Sequence, residues 1–181
     1  GNGSKGTDNI KQINPSYAGW MQPGIQAEYP SIILVPQMPS DWASGSFSAG
    51  VFYDPSVIEA MRAVEDLMDR FYAKDFVDRS RIYVHGASKG GAGTWDFAMR
   101  NNDIVAAALP MMGYGDPNFG NLLVDVPIWA SHGVQDVIVP VTATVNMIDA
   151  IATAAGDTAG IPMDPRPAGI TGLPEERLDY T

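Results

Sequence analysis

Apolar residues in this chain gather into short runs that alternate with stretches of helical spacing. Ser31 to Val35 reads Ser-Ile-Ile-Leu-Val and is closed by Pro36. A continuous, branched run of that length predicts a strand buried on both faces of a parallel sheet. Arg81 to His85, Val105 to Leu109 and Val126 to Ser131 predict three more strands. Between them the period lengthens. Val57, Met61, Val64, Met68 and Phe71 recur at helical spacing behind Asp54-Pro55, with Pro55 near the first turn. Thr142 to Ala155 predicts another helix, carrying Val145, Ile148 and Ile151. These stripes read as core faces. Strands alternating with helices predict an α/β domain with a mostly parallel sheet.

Three segments lack either period. Gly1 to Gln22 is rich in Gly, Asn, Ser and Lys and reads as a loop with unusual backbone angles. Gln37 to Tyr53 reads as a long surface loop. Asp157 to Thr181 holds four prolines and reads as loop or as a disturbed end of the fold.

The stretch of highest information is Arg81 to Arg100, where Ser88 sits in Gly86-Ala87-Ser88-Lys89-Gly90 between a predicted strand and a small-residue helix start. Five letters alone match many turns, but strand, sharp turn and helix in this order make a nucleophile elbow. Gly90, Gly91, Ala92 and Gly93 let the helix approach the strand closely. Ser88 then sits on a strained turn at the carboxyl end of the sheet, with the Lys89 N–H at the positive end of the helix.

Composition narrows the chemistry. The 181 residues, 45% of them hydrophobic, suffice for one domain spanning 1–181. A formal net charge of −10 disfavours nucleic acid and anionic membrane as partners. No cysteine is present, which removes thiolate nucleophiles, thiolate metal sites and disulfides. No run reaches the roughly 20 apolar residues of a membrane span, and no secretory signal opens the chain.

A serine needs a base to take its proton, and the base needs an acid to hold its tautomer. Asp136, just past the predicted strand Val126 to Ser131, is the leading acid; Asp116, at the end of the preceding strand, is the weaker one. The only histidines are His85 and His132. The Lys89 side chain is not read as a base, because nothing apolar nearby depresses its pKa.

Several segments together resemble the α/β-hydrolases, in the branch of carboxylesterases, feruloyl esterases and polyhydroxyalkanoate depolymerases. Gly1-Asn2-Gly3-Ser4-Lys5-Gly6-Thr7-Asp8-Asn9 is similar to the family's oxyanion loop, roughly HG-x-G-x-x-G-T-D-N. Ile33 to Met38, the elbow, Ala106 to Pro117 and Val126 to Val141 follow in family order, so the resemblance spans residues 1 to about 155. It implies a three-layer α/β sandwich around a mostly parallel central sheet. It also implies Ser88 as nucleophile, Asp136 as acid, and the backbone N–H groups of Asn2 and Lys89 as oxyanion donors. No metal or organic cofactor is implied. His132 matches a structural His-Gly turn and is the weaker candidate for the base.

The family's catalytic histidine follows the acid, and no histidine follows His132 here. The expectation is therefore a domain cut at both ends, lacking its first strands and its histidine loop, with an exposed sheet edge that favours a homodimer. The expected activity is hydrolysis of small or polymeric carboxylic esters through an acyl-enzyme on Ser88. The alternative is a non-catalytic binding module, or an inactive fragment, of the same fold. Trp20, Trp42, Tyr114 and Phe119 are the aromatics that could line a cleft.

Overall fold

The computed structural model describes residues 1–13, 18–39 and 59–157, and a final pair at 179–180. The chain divides into two compact units, Asn2–Asp41 and Gly1 with Trp42–Thr181.

The larger unit carries the sheet. Strand β1 (Tyr83–Ala87) pairs in parallel with β2 (Ala107–Met111), in a register that sets Tyr83 opposite Ala107 and Ala87 opposite Met111. A third segment continues the sheet on the far side of β2 through parallel bridges of Ile128 with Ala108 and Ser131 with Met111. Beyond it, β3 (His132–Gly133) pairs antiparallel with β4 (Asp179–Tyr180). Both β1 and β2 start two residues later than their apolar runs. Arg81 is held in a turn by its N–H to the Asp78 carbonyl and its Nε 2.6 Å from Asp78 Oδ2. Ile104 and Val105 likewise donate to the Asn101 carbonyl at the end of the preceding helix.

Helix α3 (Lys89–Arg100) packs on β1 and β2 and is the most deeply buried element, with Gly91 through Met99 all inside. Its Trp95 and Met99 join Met61, Leu123, Val126 and Met147 in one apolar core. Met61 comes from α2 (Glu59–Tyr72), where Val64 and Met68 pack on the same core, so the predicted stripe faces inward. The opening of that helix at Asp54-Pro55 lies outside the described residues, as do Val57, most of the Gln37 to Tyr53 loop and most of Asp157 to Thr181. Helix α4 (Thr142–Ala154) matches its predicted span to one residue and packs against the 3₁₀ segment Pro117–Leu123 through Met147, Ile148 and Ile151. Arg100 Nε meets Asp96 Oδ2 at 2.9 Å, one turn apart on α3 and both inside the fold, so burial of the two charges is compensated by a direct hydrogen bond.

The smaller unit holds a short helix α1 (Pro23–Glu28), which starts with proline at its first position. Here one expectation fails: Ser31 to Val35 forms no ladder with any described residue, and Ile32 is 52% exposed. Branched apolar residues favour a strand only when a partner strand supplies backbone bonds. This run is held by side chains instead, Ser31 N–H donating to Gln26 Oε1 and Gln12 Nε2 donating to the Val35 carbonyl.

The smaller unit also contains a knot of polar contacts around Gln37. Its Nε2 donates to Asp8 Oδ1 at 2.9 Å and to the Ser4 carbonyl at 3.2 Å, while Oε1 accepts from Asn9 N–H at 2.6 Å. Asp8 Oδ1 also accepts from the N–H groups of Ile10 and Lys11. These bonds, that of Ile10 first, hold the Asp8 carboxyl down to about 2.

Candidate active site

Three parallel segments direct their carboxyl ends to one edge of the sheet, and the sequence places chemistry after each. Ser88 follows β1, Met112 to Asp116 follow β2, and His132 to Asp136 follow the third segment.

Ser88 is the local anomaly. Its backbone stands at φ 58°, ψ −119°, a conformation that costs an L-residue about 1–3 kcal/mol unless the surroundings hold it. They do: Ser88 N–H donates to the Met111 carbonyl at 2.9 Å, and the Ser88 carbonyl accepts from Ala92 N–H at 3.0 Å. The serine hydroxyl makes no capping bond to α3, so it is not consumed in starting the helix. Close approach enforces the turn. A Cβ on Gly86 would lie 2.4 Å from the Gly90 carbonyl oxygen, and one on Gly113 would lie 2.4 Å from the Gly91 carbonyl carbon. Gly90 differs, since a Cβ there meets nothing within 4 Å. Gly1 reaches the same turn, its Cβ position 3.8 Å from Ser88 Cβ.

Lys89 begins α3, and its ammonium lies 2.6 Å from the Tyr114 hydroxyl. Tyr114 is only 3% exposed and packs with Ala92 and Val139, so it is a packed residue and not an open cleft wall. Asn2 opens the 3₁₀ turn Asn2–Ser4 in the smaller unit, and its carbonyl accepts from Lys5 N–H. Trp42 lies outside the described residues.

The Asp136 carboxylate folds back on its own loop. Oδ1 accepts from Val139 N–H at 2.9 Å and from Ile138 N–H at 2.8 Å, and these bonds, the Val139 bond first, hold its carboxyl below the usual range. Oδ2 lies 3.6 Å from His132 Nε2. His132 is buried, and both its ring nitrogens are engaged: Nε2 faces the Val139 carbonyl and Nδ1 the Thr144 hydroxyl, each at 2.8 Å. A carbonyl only accepts, so Nε2 carries a proton, and Nδ1 pairs with the Thr144 hydroxyl, whose oxygen also lies 3.5 Å from the Gly113 carbonyl. The ring pins the acid loop to α4. His85 lies within β1, opposite Leu109, and desolvation lowers its pKa from the ordinary histidine value. Asp116 is buried as the cap of the 3₁₀ segment, Oδ1 accepting from Asn118 N–H and Asn118 Nδ2.

The structure thus gathers Ser88, the Lys89 N–H, Tyr114 and the Asp136 loop at one sheet edge, and gives Asp116 and His132 structural bonds. Tyr114 and Thr144 were missed as partners because each bond joins residues far apart in sequence; aromatic character alone marked Tyr114.

No protein-family model and no curated protein matches the chain. Among solved structures, the chain is similar to a thermostable esterase at 32% identity and a TM-score of 0.77, over 87% of this chain and 42% of that one. A variant of SOBER1 from Arabidopsis thaliana aligns at 19% identity and a TM-score of 0.50, over 66% of this chain and 58% of that one. The chain therefore spans about half the length of these two structures. Among the described residues no helix is long and apolar enough to cross a membrane. The parallel sheet, the strained serine between β1 and α3, and these likenesses together make this an α/β-hydrolase-type fold.

Proposed function

We propose that the chain carries the nucleophile of a serine hydrolase acting on carboxylic esters. The observation that carries this reading is Ser88 itself, held at positive φ at the head of α3, with its side chain left out of the helix cap. Its Oγ attacks the acyl carbon, the bond to the alcohol oxygen breaks, and the alcohol leaves with the proton taken from Ser88. Water then attacks the acyl-enzyme and restores the serine. The Lys89 N–H, at the positive end of α3, stabilises the oxyanion, and Asp136 orients the base.

In this reading neither histidine of the chain is assigned as the base. His132 has both nitrogens engaged, and His85 is a strand residue of β1. The same observation favours a second reading, a non-catalytic ligand-binding module of this fold. Labelling with a fluorophosphonate probe, followed by intact mass, separates them. Elbow and oxyanion donors alone retain roughly 10³- to 10⁴-fold catalysis over water. A slow, single adduct is therefore expected, absent in Ser88→Ala and accelerated by added imidazole. An adduct that persists in Ser88→Ala sinks the assignment; no adduct with or without imidazole favours the binding module.

A further inference from the structure

The geometry points to Tyr114 as a positioning residue for the Ser88 turn, a role that rests on the hydrolase reading and deepens it. Lys89 follows the serine directly, and its backbone N–H is the proposed oxyanion donor. The Lys89 side chain runs to the Tyr114 hydroxyl, 2.6 Å from Nζ, while Nζ lies 5.2 Å from the ring centroid. The second distance is nearly the first plus the reach from centroid to hydroxyl. The ammonium thus lies beyond the oxygen, close to the ring plane, and not over the aromatic face where a cation–π contact forms. The tie is a charge-assisted hydrogen bond, and it depends on the phenol oxygen.

Both ends of this tie are anchored. Tyr114 follows β2 on the strand end whose Met111 carbonyl accepts from Ser88 N–H, and the adjoining Gly113 is pressed against Gly91. Tyr114 lies in one buried apolar cluster with Ala92 of α3 and Val139. Val139 is the residue whose N–H holds Asp136 and whose carbonyl faces His132. The cluster around Tyr114 therefore joins the first turn of the nucleophile helix to the loop of the acid, and the Tyr114 hydroxyl holds the side chain of the residue between Ser88 and Gly90. A strained turn keeps its geometry only where its neighbours over-determine it, and this bond is one such constraint.

Tyr114→Phe removes the bond and keeps the ring packing; Lys89→Met removes it from the other side and keeps the aliphatic stem. The test combines two readouts on the same 181-residue chain. In ¹⁵N spectra, which need no turnover, Tyr114→Phe should shift the Lys89 or adjoining Gly90 amide and Lys89→Met the Tyr114 amide, each leaving amides of α4 in place. In probe labelling, each should slow modification of Ser88 by about tenfold, less than the roughly 10²- to 10³-fold of losing an oxyanion donor outright. The double variant should be no slower than either single one, since both break the same tie. Unmoved amides in both variants, an unchanged labelling rate, or penalties that multiply would overturn the role. Shifted amides with no Ser88 adduct in the parent chain would overturn the hydrolase reading, and the catalytic part of this role with it, while leaving the Lys89–Tyr114 tie established.

Discussion

The two glycines of the elbow should respond oppositely to alanine. At Gly86 the new methyl would meet the Gly90 carbonyl oxygen at 2.4 Å, its carbon at 2.6 Å and Gly90 Cα at 3.0 Å. All three are backbone atoms, so no rotamer change relieves the clash, and the turn must open. The Gly90 carbonyl also accepts from the Thr94 hydroxyl at 2.9 Å, so moving it disturbs the first turn of α3. Overpacking of this kind costs about 1–3 kcal/mol. For a chain of this size each kcal/mol lowers the melting temperature by about 2–4 °C, which gives a fall of roughly 2–12 °C. At Gly90 the methyl meets nothing within 4 Å, and the position is helical without positive φ. Alanine there gains up to about 1 kcal/mol of helix propensity, so Gly90→Ala should melt at or slightly above the parent. Thermal unfolding followed by circular dichroism, with probe labelling of Ser88 in parallel, reads both variants. A Gly86→Ala protein as stable as the parent, or a Gly90→Ala protein as damaged as Gly86→Ala, would refute the steric account of the turn.

Two further outcomes follow from buried and titrating groups. Thr144→Val conserves shape but removes the hydroxyl paired with His132 Nδ1, leaving a buried ring nitrogen unpaired at a cost of about 1–3 kcal/mol; a melting temperature equal to the parent's would contradict that pairing. His85 has a folded pKa below its unfolded one, so its contribution is complete above the ordinary histidine range and is lost as pH falls through that range; Asp136 shifts the same way, and its contribution is lost lower, as pH falls through the carboxylate range. Melting curves against pH should show two descending steps, the first flattened in His85→Gln and the second made shallower, though not removed, in Asp136→Asn, since Asp8 titrates in the same range.

The sequence determined what depends on neighbours along the chain. The apolar spacing of Met61, Val64 and Met68 fixed the inward face of α2, and the spans of β1, β2 and α4 were legible to within two residues. The elbow was legible because its strand, serine and glycines are contiguous, and Ser88 adopts the strained backbone that this order predicts. The tertiary structure decided what depends on distant partners. Ser31 to Val35 has strand chemistry and no ladder among the described residues, because a strand exists only where another segment completes its hydrogen bonds. Asp116 and Asp136 look alike as loop aspartates after strands, yet Asp116 spends its Oδ1 on capping while Asp136 retains Oδ2 toward His132 Nε2. His132 is fixed as a strut by Thr144 and by the Val139 carbonyl. Of the motif's glycines, only packing distinguishes Gly86, which has no room for a methyl, from Gly90, which has it. Periodicity and motif order are local properties of a chain, whereas the pairing of polar atoms and the space around a Cα are set by which segments meet when it folds.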